Sequence, residues 1–126
     1  MPNKVAWISE VKNDKKPWGE VSAWNSNGHA FNKILKIEKG HRTSLKKYSI
    51  KSESFYLLSG KLSVLYGDED TEEVNQMSTG LLSEGQVLTV PSGCPYRLEA
   101  LEDSVVIESS SHGDSSFIII EDDYNR

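Results

Sequence analysis

The sequence predicts an all-β barrel, and three observations predict it. Apolar runs are short. Clusters of Gly, Pro, Ser, Asn and Asp separate them at close intervals, the pattern of an all-β sandwich or barrel. Helix signals are scarce throughout. The chain has 126 residues, the size of one domain. A single unit over 1–126 is expected, with 1–15 as an N-terminal arm or edge strand. Hydrophobic residues make up 37% and charged residues 26%, a balance that favours a packed core over disorder.

The elements follow in order. Residues 18–24 read as the first strand and 31–37 as the second, stopped before Gly40. Strands at 44–49, 54–58 and 61–66 come next, with Ser59-Gly60 read as a compact turn between the last two. The acidic run 67–73 reads as a solvated hairpin tip. Residues 80–82 lead to Glu84-Gly85, and 87–90 stop at Pro91. Strands at 96–100, 105–108 and 117–120 complete the set. Glu121-Asp122-Asp123 is an acidic C-terminal run.

The formal net charge is -5, which disfavours nucleic acid as a partner because phosphate binding needs a basic face. Local basic pockets remain compatible with it. The one cysteine, Cys94, can form no internal disulfide, and no metal-binding Cys cluster exists. A reduced, cytoplasmic setting is the simplest expectation. The first ten residues are too polar for a signal peptide. No stretch approaches the roughly 18 apolar residues of a membrane span.

Two spaced motifs are more specific. Gly40, five residues, Lys46-Lys47-Tyr48, then Glu53 and Gly60 form the first. Gly85, five residues, Pro91-Ser92-Gly93, two residues and Tyr96 form the second. In order and on predicted strands, the pair resembles the two motifs of the cupins, double-stranded β-helical barrels. Within that group the chain resembles the type II mannose-6-phosphate isomerase domain, which also forms the C-terminal part of bifunctional mannose-1-phosphate guanylyltransferases. The resemblance runs from Lys16-Pro17-Trp18-Gly19 through Lys33, Gly40, Ser44-Leu45, Glu53, Gly60, Pro91, Gly93 and Arg97-Leu98-Glu99. It ends at Glu121-Asp122-Asp123-Tyr124-Asn125-Arg126, similar to that family's terminal acidic signature.

The resemblance implies a metal held by Gln or His, His, Glu and His. Those positions are Lys46, Tyr48, Glu53 and Tyr96 here, so only the glutamate is kept. A divalent cation takes neutral imidazole or carboxylate ligands, and a lysine ammonium has no lone pair to offer. Two unit charges at about 4 Å and an effective dielectric near 20 repel by about 4 kcal/mol, and a dication doubles that. No metal or other cofactor is therefore expected. His29 and His41 fall in predicted loops and His112 in the polar stretch 109–113, so none of them rebuilds the site.

Strand alternation sends every second side chain inward. Lys46 and Tyr48 share one face, and Lys33 shares a face with Leu35 and Ile37. By the resemblance these faces line the barrel, with Glu53 and Tyr96 completing the set. Lys46, Tyr48, Glu53 and Tyr96 form a candidate proton-transfer group. Lys33, Arg97 and Arg126 would supply positive charge for an anionic ligand, and Trp18 a ring to stack on a sugar. The competing structural reading pairs Lys46 with Glu53 inside the barrel and Arg126 with Glu121 or Asp122. Tyr48 and Tyr96 then merely fill the vacated volume.

Two functions stay open. One is a cupin that binds or acts on a sugar phosphate or nucleotide sugar without metal, as an isomerase or epimerase. The other is a non-catalytic binding or protein-interaction module. Val5, Trp7 and Ile8 are apolar enough for an interface strand, so a homodimer is expected.

Overall fold

The computed structural model describes residues 3–25, 31–111 and 117–121. Eleven strands run through these residues: β1 (Lys12–Lys16), β2 (Gly19–Asn25), β3 (Phe31–Ile37), β4 (Leu45–Tyr48), β5 (Glu53–Ser59), β6 (Leu62–Tyr66), β7 (Ser78–Leu82), β8 (Val87–Val90), β9 (Tyr96–Ala100), β10 (Ser104–Ser110) and β11 (Phe117–Glu121). They form two antiparallel sheets. One has the order β1-β2-β3-β10-β5-β8 and the other β11-β4-β9-β6-β7. Every strand read from the sequence recurs within two residues at each end. At the N-terminal side, residues 3–11 lie outside any strand, and the edge strand β1 begins only at Lys12 and pairs Lys16 with Gly19 across Pro17-Trp18.

One turn differs from expectation. Ser59-Gly60 does not close a hairpin, because β5 and β6 lie in different sheets. Gly60 carries a positive φ of 101°, which an L side chain rarely adopts. A Cβ there would also collide with Ser104 and the Asp103 carbonyl. The glycine is thus the crossover from one sheet to the other. The acidic run does fall between antiparallel partners, since Tyr66 pairs with Ser78. The connection includes a short 3-10 helix at Val74–Gln76.

Register decides where the core ends and the site begins. Leu35 opposes Val106, which opposes Leu57, and Leu62 opposes Ala100. These side chains, with Ile37, Phe55 and Leu98, are nearly all fully buried. Burying a side chain of this kind contributes roughly 1.5–3 kcal/mol. Two residues along the same inward rows the chemistry changes. Lys33 opposes Glu108, and Glu53 lies two residues from Phe55 on β5. One end of the barrel is therefore apolar and the other end polar.

Candidate functional site

The polar end encloses a cavity of about 370 Å³, within the range of small-molecule pockets. Its apolar wall comes from Trp18, Val21, Leu35, Phe55 and Leu98. Its polar groups are Lys16, Lys33, Thr43, Ser44, Lys46, Tyr48, Tyr96 and Glu108. Phe117 and Ile119 on the edge strand β11 are half-exposed and frame the opening. Lys46 and Tyr48 share a face of β4, as strand alternation requires, and Lys46 stands directly opposite Tyr96 on β9. The Tyr48 ring packs on Phe117, centroids 5.4 Å apart, and Tyr96 packs on Phe55 at 5.0 Å.

Behind this wall lies a buried charge cluster. Lys51 precedes β5 and is 2% exposed. Its Nζ lies 3.4 Å from Glu53 Oε2 and 3.7 Å from Glu108 Oε2. The same ammonium sits 4.4 Å from the Tyr48 ring centroid, a cation–π contact. Tyr96 donates its hydroxyl hydrogen bond to Glu53. Glu53 Oε1 and Glu108 Oε2 have no hydrogen-bond partner among the described residues.

Fully ionised, this cluster holds two negative charges against one positive. Burial, then the neighbouring Glu108 carboxylate, push the Glu53 carboxyl up to about 7; Lys51 and the Tyr96 hydrogen bond pull the other way. Burial also drives the Tyr96 hydroxyl well above the ordinary phenol range, helped by Glu53 and Glu108. Lys46 moves down: desolvation lowers its proton affinity more than Glu53 and Glu108 raise it, and Lys33 and Lys51 add to the lowering.

The expected site residues thus separate. Lys46, Tyr48, Tyr96, Lys33 and Trp18 come together around the cavity, and Glu53 lies just behind it. The internal partner of Glu53 is Lys51, where the sequence pointed to Lys46. Lys51 shares the parity of Glu53 and reaches back toward it, whereas Lys46 projects into the cavity. Arg97 does not line the cavity. Its neighbours Tyr96 and Leu98 face in, so Arg97 faces the other side of the sheet. There it donates from Nε to the Thr43 carbonyl at 2.7 Å and from Nη1 to Glu121 Oε1 at 3.0 Å. Glu121 is also 3.8 Å from Arg42. Arg126 and its suggested partner Asp122 lie outside the described residues, as do His29 and His112, whereas Glu121 is described and meets Arg97 and Arg42.

Lys51 and Glu108 escaped the sequence reading, and Lys16 entered it only within Lys16-Pro17-Trp18-Gly19, with no role at the site. Glu108 could have been found, because it follows Val106 at the inward spacing of β10. Lys51 sits in a loop, where a lysine ordinarily points to water. The donor set does not fit a divalent metal. Among the described residues no group of three or more His, Cys, Asp or Glu is placed to hold one. Lys51 already places a cation against Glu53.

Two antiparallel sheets closing on a cavity lined by inward-facing side chains define the all-β jelly roll of the cupins. Solved structures share this fold. CapF bound to the inhibitor 3-isopropenyl-tropolone is similar at a TM-score of 0.76 and 15% identity, over 92% of this chain and 36% of that one. CapF, the capsular polysaccharide assembling protein of Staphylococcus aureus, gives 0.75 and 16% over 91% and 34%. The Lactobacillus farciminis oxalate decarboxylase formate complex gives 0.71 and 16% over 86% and 33%. The chain spans about a third of the length of each. No family model and no curated protein matches it. Among the described residues no helix is long and apolar enough to cross a membrane.

Proposed function

We propose that the protein binds a small anionic sugar-type ligand, a sugar phosphate or nucleotide sugar, in a barrel cavity that uses no metal. One observation carries the reading: Lys16, Lys33 and Lys46 line a single apolar-walled cavity, against one lining carboxylate, Glu108. That carboxylate is paired with buried Lys51. Lys16 is also 3.4 Å from Asp14 at the surface. A local cationic cleft attracts a phosphate even on a protein of net charge -5. Trp18 offers an apolar face to a sugar ring. Lys46, Tyr48 and Tyr96 line the cavity with Glu53 just behind, which suits proton transfer on the bound ligand.

The resemblance to type II mannose-6-phosphate isomerases supports the ligand class. The fold neighbours range from capsular polysaccharide assembly to oxalate decarboxylation, so the ligand is argued from the cavity rather than from the fold. A homodimer belongs to the same proposal. Val5, Trp7 and Ile8 are exposed on a segment outside any strand, and the edge strands leave backbone groups open to pairing.

Thermal shift and calorimetry with mannose 6-phosphate, glucose 6-phosphate and nucleotide sugars test the ligand class. A ligand present at about 100 times its Kd stabilises the fold by about 2.7 kcal/mol. Stabilisation that weakens with salt and in Lys46→Ala is expected. No stabilisation by any of them at millimolar concentration refutes the proposal and favours a protein-interaction module.

A further inference from the structure

One of the three cavity lysines, Lys46, has surroundings that suit more than attraction of a phosphate. Lys46 lies opposite Tyr96 on β9 and Ile119 on β11. Its Nζ is 5.5 Å from the Tyr48 ring centroid and 5.4 Å from that of Phe117. Among the described residues no carboxylate stands within ion-pairing distance of this nitrogen, since Glu53 and Glu108 both pair with Lys51. Lys46 thus rests beside a pair of mutually packed aromatic rings in the cavity wall, while the neighbouring cation takes up the carboxylates.

We propose that Lys46 is a nucleophile that captures the open-chain aldehyde or ketone of the ligand as an imine. This deepens the anionic-ligand reading and rests on it for the phosphate. The lone pair of the neutral amine attacks the carbonyl carbon, forming a C–N bond. The carbonyl oxygen gains a proton and the nitrogen loses one, giving a carbinolamine. The carbinolamine hydroxyl takes up a further proton and departs as water, which breaks the C–O bond and leaves a protonated imine. The sum is amine plus carbonyl plus one proton to protonated imine plus water, with no change of oxidation state. Tyr48 and Glu108 line the same cavity and are placed to pass these protons.

The electrostatic setting favours the neutral amine. Desolvation leads, Lys33 and Lys51 add to it, and Glu53 and Glu108 oppose it. A desolvated lysine beside other cations is the usual form of an imine-forming residue. The imine also has a use in this cavity. Its cationic nitrogen draws electrons through the imine carbon, so a proton leaves the carbon next to the imine carbon without a metal to polarise the carbonyl.

The test uses the intact protein with two probes, glyceraldehyde 3-phosphate and glyceraldehyde, each with sodium cyanoborohydride. Peptide mass mapping then reads the adduct at each lysine. Lys46 is expected to be labelled faster than the exposed Lys36 and Lys61, because it lines the cavity that would hold the probe. The advantage should vanish in urea. Lys46→Arg, which keeps a cation and cannot form an imine, should lose the fast adduct and keep the fold. Labelling of Lys46 no faster than of Lys36 or Lys61 overturns the imine. If glyceraldehyde 3-phosphate without reductant still raises the Tm in that case, the anionic-ligand reading survives alone. Fast labelling at Lys46 with no preference for the phosphorylated probe upholds the nucleophile and overturns the phosphate part.

Discussion

Replacing Lys51 with methionine removes the ammonium that stands 3.4 Å from Glu53 and 3.7 Å from Glu108 while keeping a side chain of similar length. At these distances and an effective dielectric near 20, each attraction is about 4–5 kcal/mol before desolvation is counted. The ammonium itself is costly to bury, so the net loss on breaking such a cluster is about 3–5 kcal/mol. The loss should depend on pH. The Glu53 carboxyl titrates near 7 in the fold against an ordinary value of 4.5. Between these values the folded protein holds a proton that the unfolded chain has released. Stability of the parent protein therefore falls as pH rises from about 4.5 to about 7, by up to about 3 kcal/mol from this group. At pH 5 Glu53 is neutral, and Lys51→Met loses only the Glu108 pair. At pH 8 it loses both and leaves two buried carboxylates together. Urea denaturation at pH 5 and pH 8 should show the larger loss at pH 8, near about 3–5 kcal/mol. Equal losses at the two pH values, or a variant as stable as the parent at pH 8, refute the account of the cluster.

Two further outcomes follow from the same site and the sequence. Because Lys46, Tyr48 and Tyr96 stand at the ligand positions and Lys51 already neutralises Glu53, protein purified without a His tag should contain far less than one equivalent of Zn, Fe, Mn or Ni. Stoichiometric metal lost on Glu53→Gln overturns that. With Trp7 63% exposed and Ile8 fully exposed, light scattering at micromolar concentration should give a homodimer that Trp7→Ser with Ile8→Ser dissociates. A 14.1 kDa particle for the parent protein counts against the pairing.

The fold was legible because each strand carries its own alternation. Phe31–Ile37 places Lys33, Leu35 and Ile37 on one face by period alone, and that face does line the interior. β1 had no such signal. Its sequence, Lys-Asn-Asp-Lys-Lys, buries almost nothing, so only backbone pairing to β2 defines it. Ser59-Gly60 misled for a related reason. A glycine turn between two strands looks the same in sequence whether the chain returns to its own sheet or crosses to the other. Only the packing of Gly60 against Ser104 decides. At the site, parity placed Lys46, Tyr48 and Tyr96 correctly, and parity also excludes Arg97. That arginine sits between two inward residues and is taken up by Thr43 and Glu121. Lys51 was hidden because a loop lysine has no periodicity to report its direction.

The charge cluster and the cavity work as one device. A carboxylate kept at Glu53 without imidazoles around it needs a countercharge, and Lys51 supplies one from the same chain. Glu108 then adds a second carboxylate, which leaves the cluster one charge negative when fully ionised. Burial resolves this by holding a proton on Glu53 up to about pH 7. The result is a carboxyl that titrates near neutrality, the condition under which an acid–base group transfers protons most effectively. Glu53 does not itself line the cavity, but Tyr96 does, and its hydroxyl is hydrogen-bonded to that carboxyl. Tyr96 faces Lys46 directly across β4 and β9. Under the proposed function, this geometry would let a proton pass between the buried carboxyl and a ligand at Lys46 through one hydroxyl. Lys51 sets the charge of the cluster without lining the cavity, so it is Lys51 rather than Lys46 that pairs with Glu53, and Lys46 faces the cavity.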